Sequence, residues 1–284
     1  MIKLKTEIKK IIVLSQRFAY LIFDYFLVLI CLIFNLITKG KIYEDNIVFV
    51  SAIDKNFFER ALSLLDSYKF NLKNEFILYD LGVTKEQYEY LNKTYSFVNL
   101  RKFDFENNPE FMSKYFGDKL GNYAWKPVII NNLLNEYKSK VVWLDAGNVL
   151  QKKIIFLKIL LTAKKLIVTR SSNKIKKWTH PKTIEYIGLN EKYLSKKNYA
   201  GGLVGFDYNS KKAMNISEKW AYYSNIEECI SPLGSSRENH RQDQAILTVL
   251  LYKYLFTNGF ISASYSKTNF VCGVLFHAKK IYNF

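Results

Sequence analysis

With 284 residues, 49% of them hydrophobic, the chain can bury a substantial core as one large domain or two small ones. Its cysteines, Cys31, Cys229 and Cys272, are far apart and form no CxxC pair, which argues against a cysteine zinc site or a disulfide framework and leaves only a Cys229 to Cys272 bridge open. A formal charge of +17 favours anionic partners, whether nucleic acid, acidic lipid or a phosphorylated small molecule, without choosing among them.

Residues 1–41 differ from the rest. Lys3, Lys5, Lys9, Lys10 and Arg17 precede an apolar run from Phe18 to Ile37, about the length that crosses a bilayer. No small-residue cleavage site follows, so the run reads as a retained membrane anchor. If it spans, its basic flank belongs in the cytoplasm. Asp24 inside the run costs roughly 2.5 to 3.5 kcal/mol on insertion scales, a cost that a helix lying in the interface avoids. Thr38 to Lys41 break the pattern, and 42–284 reads as a globular domain.

Within that domain Ile47 to Ala52 suits a first buried strand, and Phe57, Phe58, Ala61, Leu62, Leu64 and Leu65 follow at helical spacing. Phe76 to Gly82 repeats the strand-and-turn pattern, Thr84 to Leu91 reads as a helix, and Phe97 to Phe103 as a third strand. Strands alternating with helices indicate βαβ units and a mainly parallel sheet. Tyr123-Ala124-Trp125-Lys126-Pro127 then heads a helix running to about Tyr137. Pro127 suits its first turn, and a helix N-terminus beside Lys126 is an electropositive place for phosphate. Val141 to Leu144 reads as a buried strand delivering Asp145 to the carboxyl edge of the sheet, where open α/β sheets bind ligands; a plain turn at Asp145-Ala146-Gly147 is the alternative. From Gln151 to Lys182 the chain is rich in lysine and lacks acidic residues. Ile154, Ile155, Leu157, Leu160 and Leu161 within it favour an amphipathic helix, facing either a membrane surface or solvent. Trp178-Thr179-His180-Pro181 reads as a loop in which His180 is structural.

The order of these motifs resembles the GT-A nucleotide-sugar glycosyltransferases, particularly the retaining glycogenin and lipopolysaccharide-galactosyltransferase group. Tyr-Ala-Trp-Lys-Pro followed by Trp-Leu-Asp-Ala-Gly also resembles a family of uncharacterised glycosyltransferase-like proteins. The resemblance runs roughly from Ile47 to the C-terminus. It implies an α/β, GT-A-like (Rossmann-like) fold with a mainly parallel sheet flanked by helices, here preceded by the N-terminal hydrophobic helix. It also implies an enzyme moving a sugar from a nucleotide-sugar donor to a glycan or lipid acceptor, which the anchor read in residues 1–41 would make membrane-associated. By position, Ser51 and Phe57 fall where that group lines the nucleotide, and Lys126 where a basic residue approaches the sugar nucleotide. Asp145 matches the first aspartate of Asp-x-Asp, but Gly147 replaces the second, which weakens any site for a divalent cation such as Mn or Mg.

In Tyr199 to Phe206, Gly201 and Gly202 would let a ligand approach the backbone. Asp243 and Gln244 match the pair that opens a late helix and contacts sugar hydroxyls; the alternative is a polar helix start with Asp243 near the positive end of the dipole. Phe276-His277-Ala278-Lys279-Lys280 resembles a closing His-x-x-x-Lys element, which makes His277 a metal ligand and places Lys279 or Lys280 on the diphosphate. Two other readings stay open. Gly147 keeps alive a catalytically silent glycan-binding or complex-assisting protein, whereas nucleic-acid binding has charge in its favour but no recognised module.

Overall fold

The computed structural model describes residues 46–69, 74–117, 119–150, 155–254, 270–271 and 274–275, with isolated positions at 15, 22, 26, 29 and 33. Strands β1 (Ile47–Ile53), β2 (Glu75–Asp80) and β3 (Val98–Lys102) alternate with helices α1 (Phe58–Tyr68) and α2 (Lys85–Thr94). A small hairpin, β4 (Tyr115–Phe116) and β5 (Lys119–Leu120), leads into α3 (Trp125–Tyr137), β6 (Lys140–Leu144) and β7 (Val149–Leu150). Next come α4 (Ile155–Lys164), β8 (Leu166–Lys174), α5 (Ile175–Trp178), α6 (Pro181–Ile187) and β9 (Lys197–Asp207). Helices α7 (Lys211–Ser224), α8 (Glu227–Ile230) and α9 (Gln242–Tyr254) follow, and β10 (Phe270–Val271) and β11 (Val274–Leu275) add to β7 as a separate sheet.

The main sheet has six strands in the order β3-β2-β1-β6-β9-β8. Its first four strands are parallel, while β9 runs against both β6 and β8. Period-two alternation divides the core: Val48, Val50 and Ala52 face α3, α7 and α9, and Ile47, Phe49 and Ile53 face α1 and α4. Covered on both faces, the central strands must be apolar at every position, which is why Val141 to Leu144 carries no alternation.

This topology decides where the functional groups collect. Parallel β1 and β6 end at one edge, and antiparallel β9 pairs Leu203 with Leu144, so Gly201 and Gly202 arrive at that same edge. Helix α3 joins β6 through only Lys138 and Ser139, with Lys138 in the left-handed region at φ 49°. The helix therefore runs back along the sheet, and its first turn, with Lys126, lies at the edge as well.

Several expectations need correction. Leu157, Leu160 and Leu161 do form the apolar side of a helix, α4, but they are buried in the core against Ile167 and Leu203 and offer no stripe to a lipid. The lysine-rich stretch continues as the nine-residue strand β8, whose apolar run, Leu166 to Val168, is short and gives way to the polar Thr169 to Lys174. The loop read at Trp178 to Pro181 is shorter than expected: Trp178 closes α5 and Pro181 opens α6, leaving Thr179 and His180 between them, and His180 is structural, capping α6 through Nδ1, which accepts from the Lys182 N–H at 3.3 Å. The expected anchor falls outside the described residues except at positions 15, 22, 26, 29 and 33, which are helical. Among the described residues no helix is long and apolar enough to cross a membrane.

The contact of α4 with the sheet is testable. A Cβ placed on Gly205 would stand 3.3 Å from both terminal methyls of Leu161 and 3.5 Å from Val142. Gly205→Val is expected to overpack this layer and lower stability by roughly 1–3 kcal/mol, read as a drop in the urea midpoint. An unchanged midpoint would contradict the packing described.

Candidate active site

The edge holds a buried ammonium between two carboxylates. Lys126 Nζ lies 3.0 Å from Asp145 Oδ1 and 3.2 Å from Asp243 Oδ2, and its side chain is only 6% exposed. Trp143 Nε1 donates to the same Asp145 oxygen at 2.7 Å. The rings of Trp143 and Tyr123 stand 5.3 and 5.8 Å from the ammonium, adding cation–π attraction. Burial opposes the lysine charge, but the two carboxylates outweigh it and hold Lys126 protonated above its ordinary range. One cation cannot neutralise both anions. The excess falls on Asp243, 6% exposed against 29% for Asp145, and burial raises its carboxyl above the usual range against the pull of Lys126.

The local backbone is shaped to hold these groups. Gly121, Asn122 and Tyr123 all have positive φ just ahead of α3, and Gln242 has φ 41° just ahead of Asp243. Such conformations cost about 1–3 kcal/mol at non-glycine residues and cluster at functional sites. At Gly121 a Cβ would meet the Met112 carbonyl oxygen at 2.4 Å, so only glycine fits. Asn148 is buried and donates Nδ2–H to the Gly202 carbonyl at 2.6 Å, while the Asp145 N–H donates to that carbonyl at 2.9 Å, tying the Asp145 loop to β9. A Cβ on Gly201 would come within 2.9 Å of Asp243 Oδ2, so the bare backbone there lets the carboxylate close in.

Around this group opens a cleft of about 640 Å³, well within the size range of small-ligand sites. The structure brings Phe57, Lys126, Asp145, Gly147, Gly201, Gly202, Asp243 and Gln244 together along its wall. Gln244 is steadied by donating Nε2–H to Asn198 Oδ1 at 2.9 Å. Ser51 is not brought to the cleft. It is fully buried on β1, and Ala52, Ile53 and Asp54 line the cavity where it was expected. His277 and Lys280 lie outside the described residues.

The sequence reading missed Asp54, Arg60, Trp178, Arg237 and Arg241, all of which line the cleft. Asp54 accepts from the Asn56 and Phe57 N–H groups at 2.9 and 3.2 Å and from Tyr115 Oη at 3.0 Å, so it shapes the β1 end. Arg60 stacks over Phe57, its guanidinium carbon 5.1 Å from the ring centre. A helical reading from Phe57 already places Arg60 one turn on. Arg237 lies in a polar stretch without periodicity, and nothing local marks it.

The described donors do not suit a divalent metal. No three of His, Cys, Asp and Glu gather as ligands among the described residues, and Gly147 supplies no side chain. Asp145 and Asp243, the carboxylates that would begin such a site, already share an ammonium, which does electrostatically what an ion would do between them.

Comparison with known proteins gives a fold-level picture. A family model described as "Protein of unknown function (DUF1647)" matches residues 33–131 and stops short of Asp145. No curated protein matches the sequence. Similar solved structures include the WbbM bifunctional glycosyltransferase, at 14% identity and TM-score 0.49, covering 78% of this chain; the chain spans only 39% of WbbM. Core-mannan synthase A from Aspergillus fumigatus, in an Mn/GDP form, is 10% identical with TM-score 0.49, covering 74% of this chain and 70% of that one. The galactosyltransferase LgtC, in complex with donor and acceptor sugar analogues, is 13% identical with TM-score 0.46, covering 82% and 87%. Likenesses of this level carry no argument about chemistry, which rests on the site itself.

The segment leading to Asp243 is anchored by His240, buried and neutral. Its Nε2–H donates to the Ile230 carbonyl at 2.9 Å, and its Nδ1 accepts from the His180 N–H at 3.2 Å. A second proton would face that N–H, and burial lowers the imidazole pKa to about 4. The unfolded chain takes up the proton below about 6.5, so the stability from this group is full above that pH and is lost as pH falls toward 4. The loss is expected to reach roughly 2–3 kcal/mol. Unfolding free energies of wild type and His240→Gln across pH 4–7 check this: the wild type should show the steeper acid loss, and equal slopes would contradict the assignment.

Proposed function

We propose that the chain transfers a sugar from a nucleotide-sugar donor to a glycan or lipid acceptor. The observation that carries this reading is the Lys126 ammonium held between Asp145 and Asp243 on the cleft floor, beside the bare backbone of Gly201 and Gly202. The motif order along the chain supports it too. In this reading the nucleotide lies toward the β1 end, against Phe57 and Arg60, and the donor sugar lies over the two glycines. Asp243 and Gln244 then take its hydroxyls. As the bond between the anomeric carbon and the diphosphate oxygen breaks, a bond to an acceptor hydroxyl oxygen forms and the hydroxyl proton passes to the departing diphosphate; in the transition state positive charge lies on the anomeric carbon and negative charge on the diphosphate. Fixed charges already in place stabilise such a transition state without reorganising. Asp145 and Asp243 act on the first charge and Arg60 on the second.

Gly147 favours a second reading, a glycan-binding protein without turnover. Asp243→Asn separates the two, because it removes a charge at constant shape and leaves Lys126 with Asp145. Under the transferase reading it lowers turnover of a nucleotide-sugar by about a hundredfold or more while nucleoside-diphosphate binding stays. Wild-type protein that binds nucleotide-sugars and glycans but turns over none would establish the second reading.

Attachment to a membrane through residues 1–41 belongs to the same proposal, supported by the basic flank and the apolar run. Removing residues 1–40 is expected to shift the protein from the membrane pellet to the supernatant. Truncated protein that still sediments with membranes at high salt would exclude this segment as the sole anchor.

A further inference from the structure

A second cavity of about 580 Å³ adjoins the cleft and shares Trp178, Arg237 and Arg241 with it; Asn173, Lys177 and Glu238 complete its lining. Strand order fixes which end of the cleft it extends. Asp54, Phe57 and Arg60 follow β1, Trp178 follows β8, and β6 and β9 lie between them with Asp145 and the two glycines. The added cavity therefore lies across the floor from the β1 end.

Its charge is unbalanced. Arg241 stacks on Trp178, its guanidinium carbon 4.4 Å from the ring centre, and its Nε is buried without a hydrogen-bond partner among the described residues. Burial and the neighbouring Arg237 both lower its pKa, the signature of a cation lacking an anion. Lys177 adds a third positive charge, and Glu238 is the sole carboxylate among the lining residues. Among the described residues none of these four side chains forms an ion pair. A guanidinium placed over an aromatic ring, with a donor unpaired, is suited to a carboxylate or phosphate.

We propose that this cavity is the acceptor subsite and that the acceptor carries an oxyanion, a carboxylate or phosphate on its sugar, bound by Arg241, Arg237 and Lys177. The proposal rests on the glycosyl-transfer reading for the word acceptor, but the oxyanion site stands on its own geometry. The test uses the full chain and two sets of probes. Binding of a glucuronic acid-terminated disaccharide, glucose 6-phosphate and a neutral glucose-terminated disaccharide is measured by calorimetry, alongside binding of UDP and GDP. The two acidic probes separate a carboxylate source from a phosphate source, and either one binding roughly tenfold or more tighter than the neutral disaccharide supports the site. Lys177→Ala and Arg237→Ala, both at exposed positions, should each weaken the acidic probe about tenfold, as expected for loss of a charge-assisted contact, and leave nucleoside-diphosphate affinity unchanged.

Equal binding of acidic and neutral probes would overturn the proposal. So would variants that weaken nucleoside diphosphate as much as acidic sugar, since the arginines would then serve the donor. Acidic-sugar binding in a protein that binds no nucleoside diphosphate would support the oxyanion site and overturn the glycosyl-transfer reading instead.

Discussion

The contact on which the site depends is the buried ammonium of Lys126 between Asp145 and Asp243. Removing a lysine from water costs several kcal/mol, and two close carboxylates repel each other, so none of the three groups is stable there alone. Together they fix the floor of the cleft and leave it one negative charge in excess. Burial, with the nearby Asp145 charge adding to it, pushes the Asp243 carboxyl upward, and the cleft walls carry cations, Arg60 toward β1 and Arg237 and Arg241 toward β8.

Everything around this contact serves to bring three distant parts of the chain to one place. Asp145 arrives at the end of β6, Lys126 at the start of the helix that precedes it, and Asp243 at the start of α9. The antiparallel β9 is the decisive element. Because it reverses direction beside β6, its small-residue segment lies at the carboxyl edge, and Gly201 gives Asp243 room to reach Lys126. Left-handed residues at Asn122, Tyr123 and Gln242 flank both charged partners, so strain is concentrated where side chains must be aimed.

Much of this was legible in the sequence, for definite reasons. Strands β1 and β2 are plain because buried strands write near-continuous apolar runs, edge strand β3 shows instead as Val98 and Leu100 alternating with polar residues, and Pro127 marks a first helical turn. Asp145, Gly201, Gly202, Asp243 and Gln244 were readable from motif order and do share one cleft. The ammonium bridge was not readable, because Lys126 and Asp243 are 117 positions apart and only the reversal of β9 joins them. Ser51 was misplaced for a different reason: it faces the core, and the chain reaches the cleft only at its next residues, Ala52 to Asp54. Strand β8 was hidden because only Leu166 to Val168 is apolar, and the polar residues from Thr169 onward are held in the strand by pairing with β9.

The central claim is that Lys126, Asp145 and Asp243 form the floor on which a donor sugar rests. A crystal structure of the protein with an intact nucleotide-sugar tests it most directly. The account predicts the sugar ring over Gly201 and Gly202, hydroxyls within hydrogen-bond distance of Asp243 and Gln244, and Lys126 still bridging the two carboxylates. A nucleotide-sugar bound outside this cleft, or a divalent ion displacing the ammonium from between Asp145 and Asp243, would contradict it.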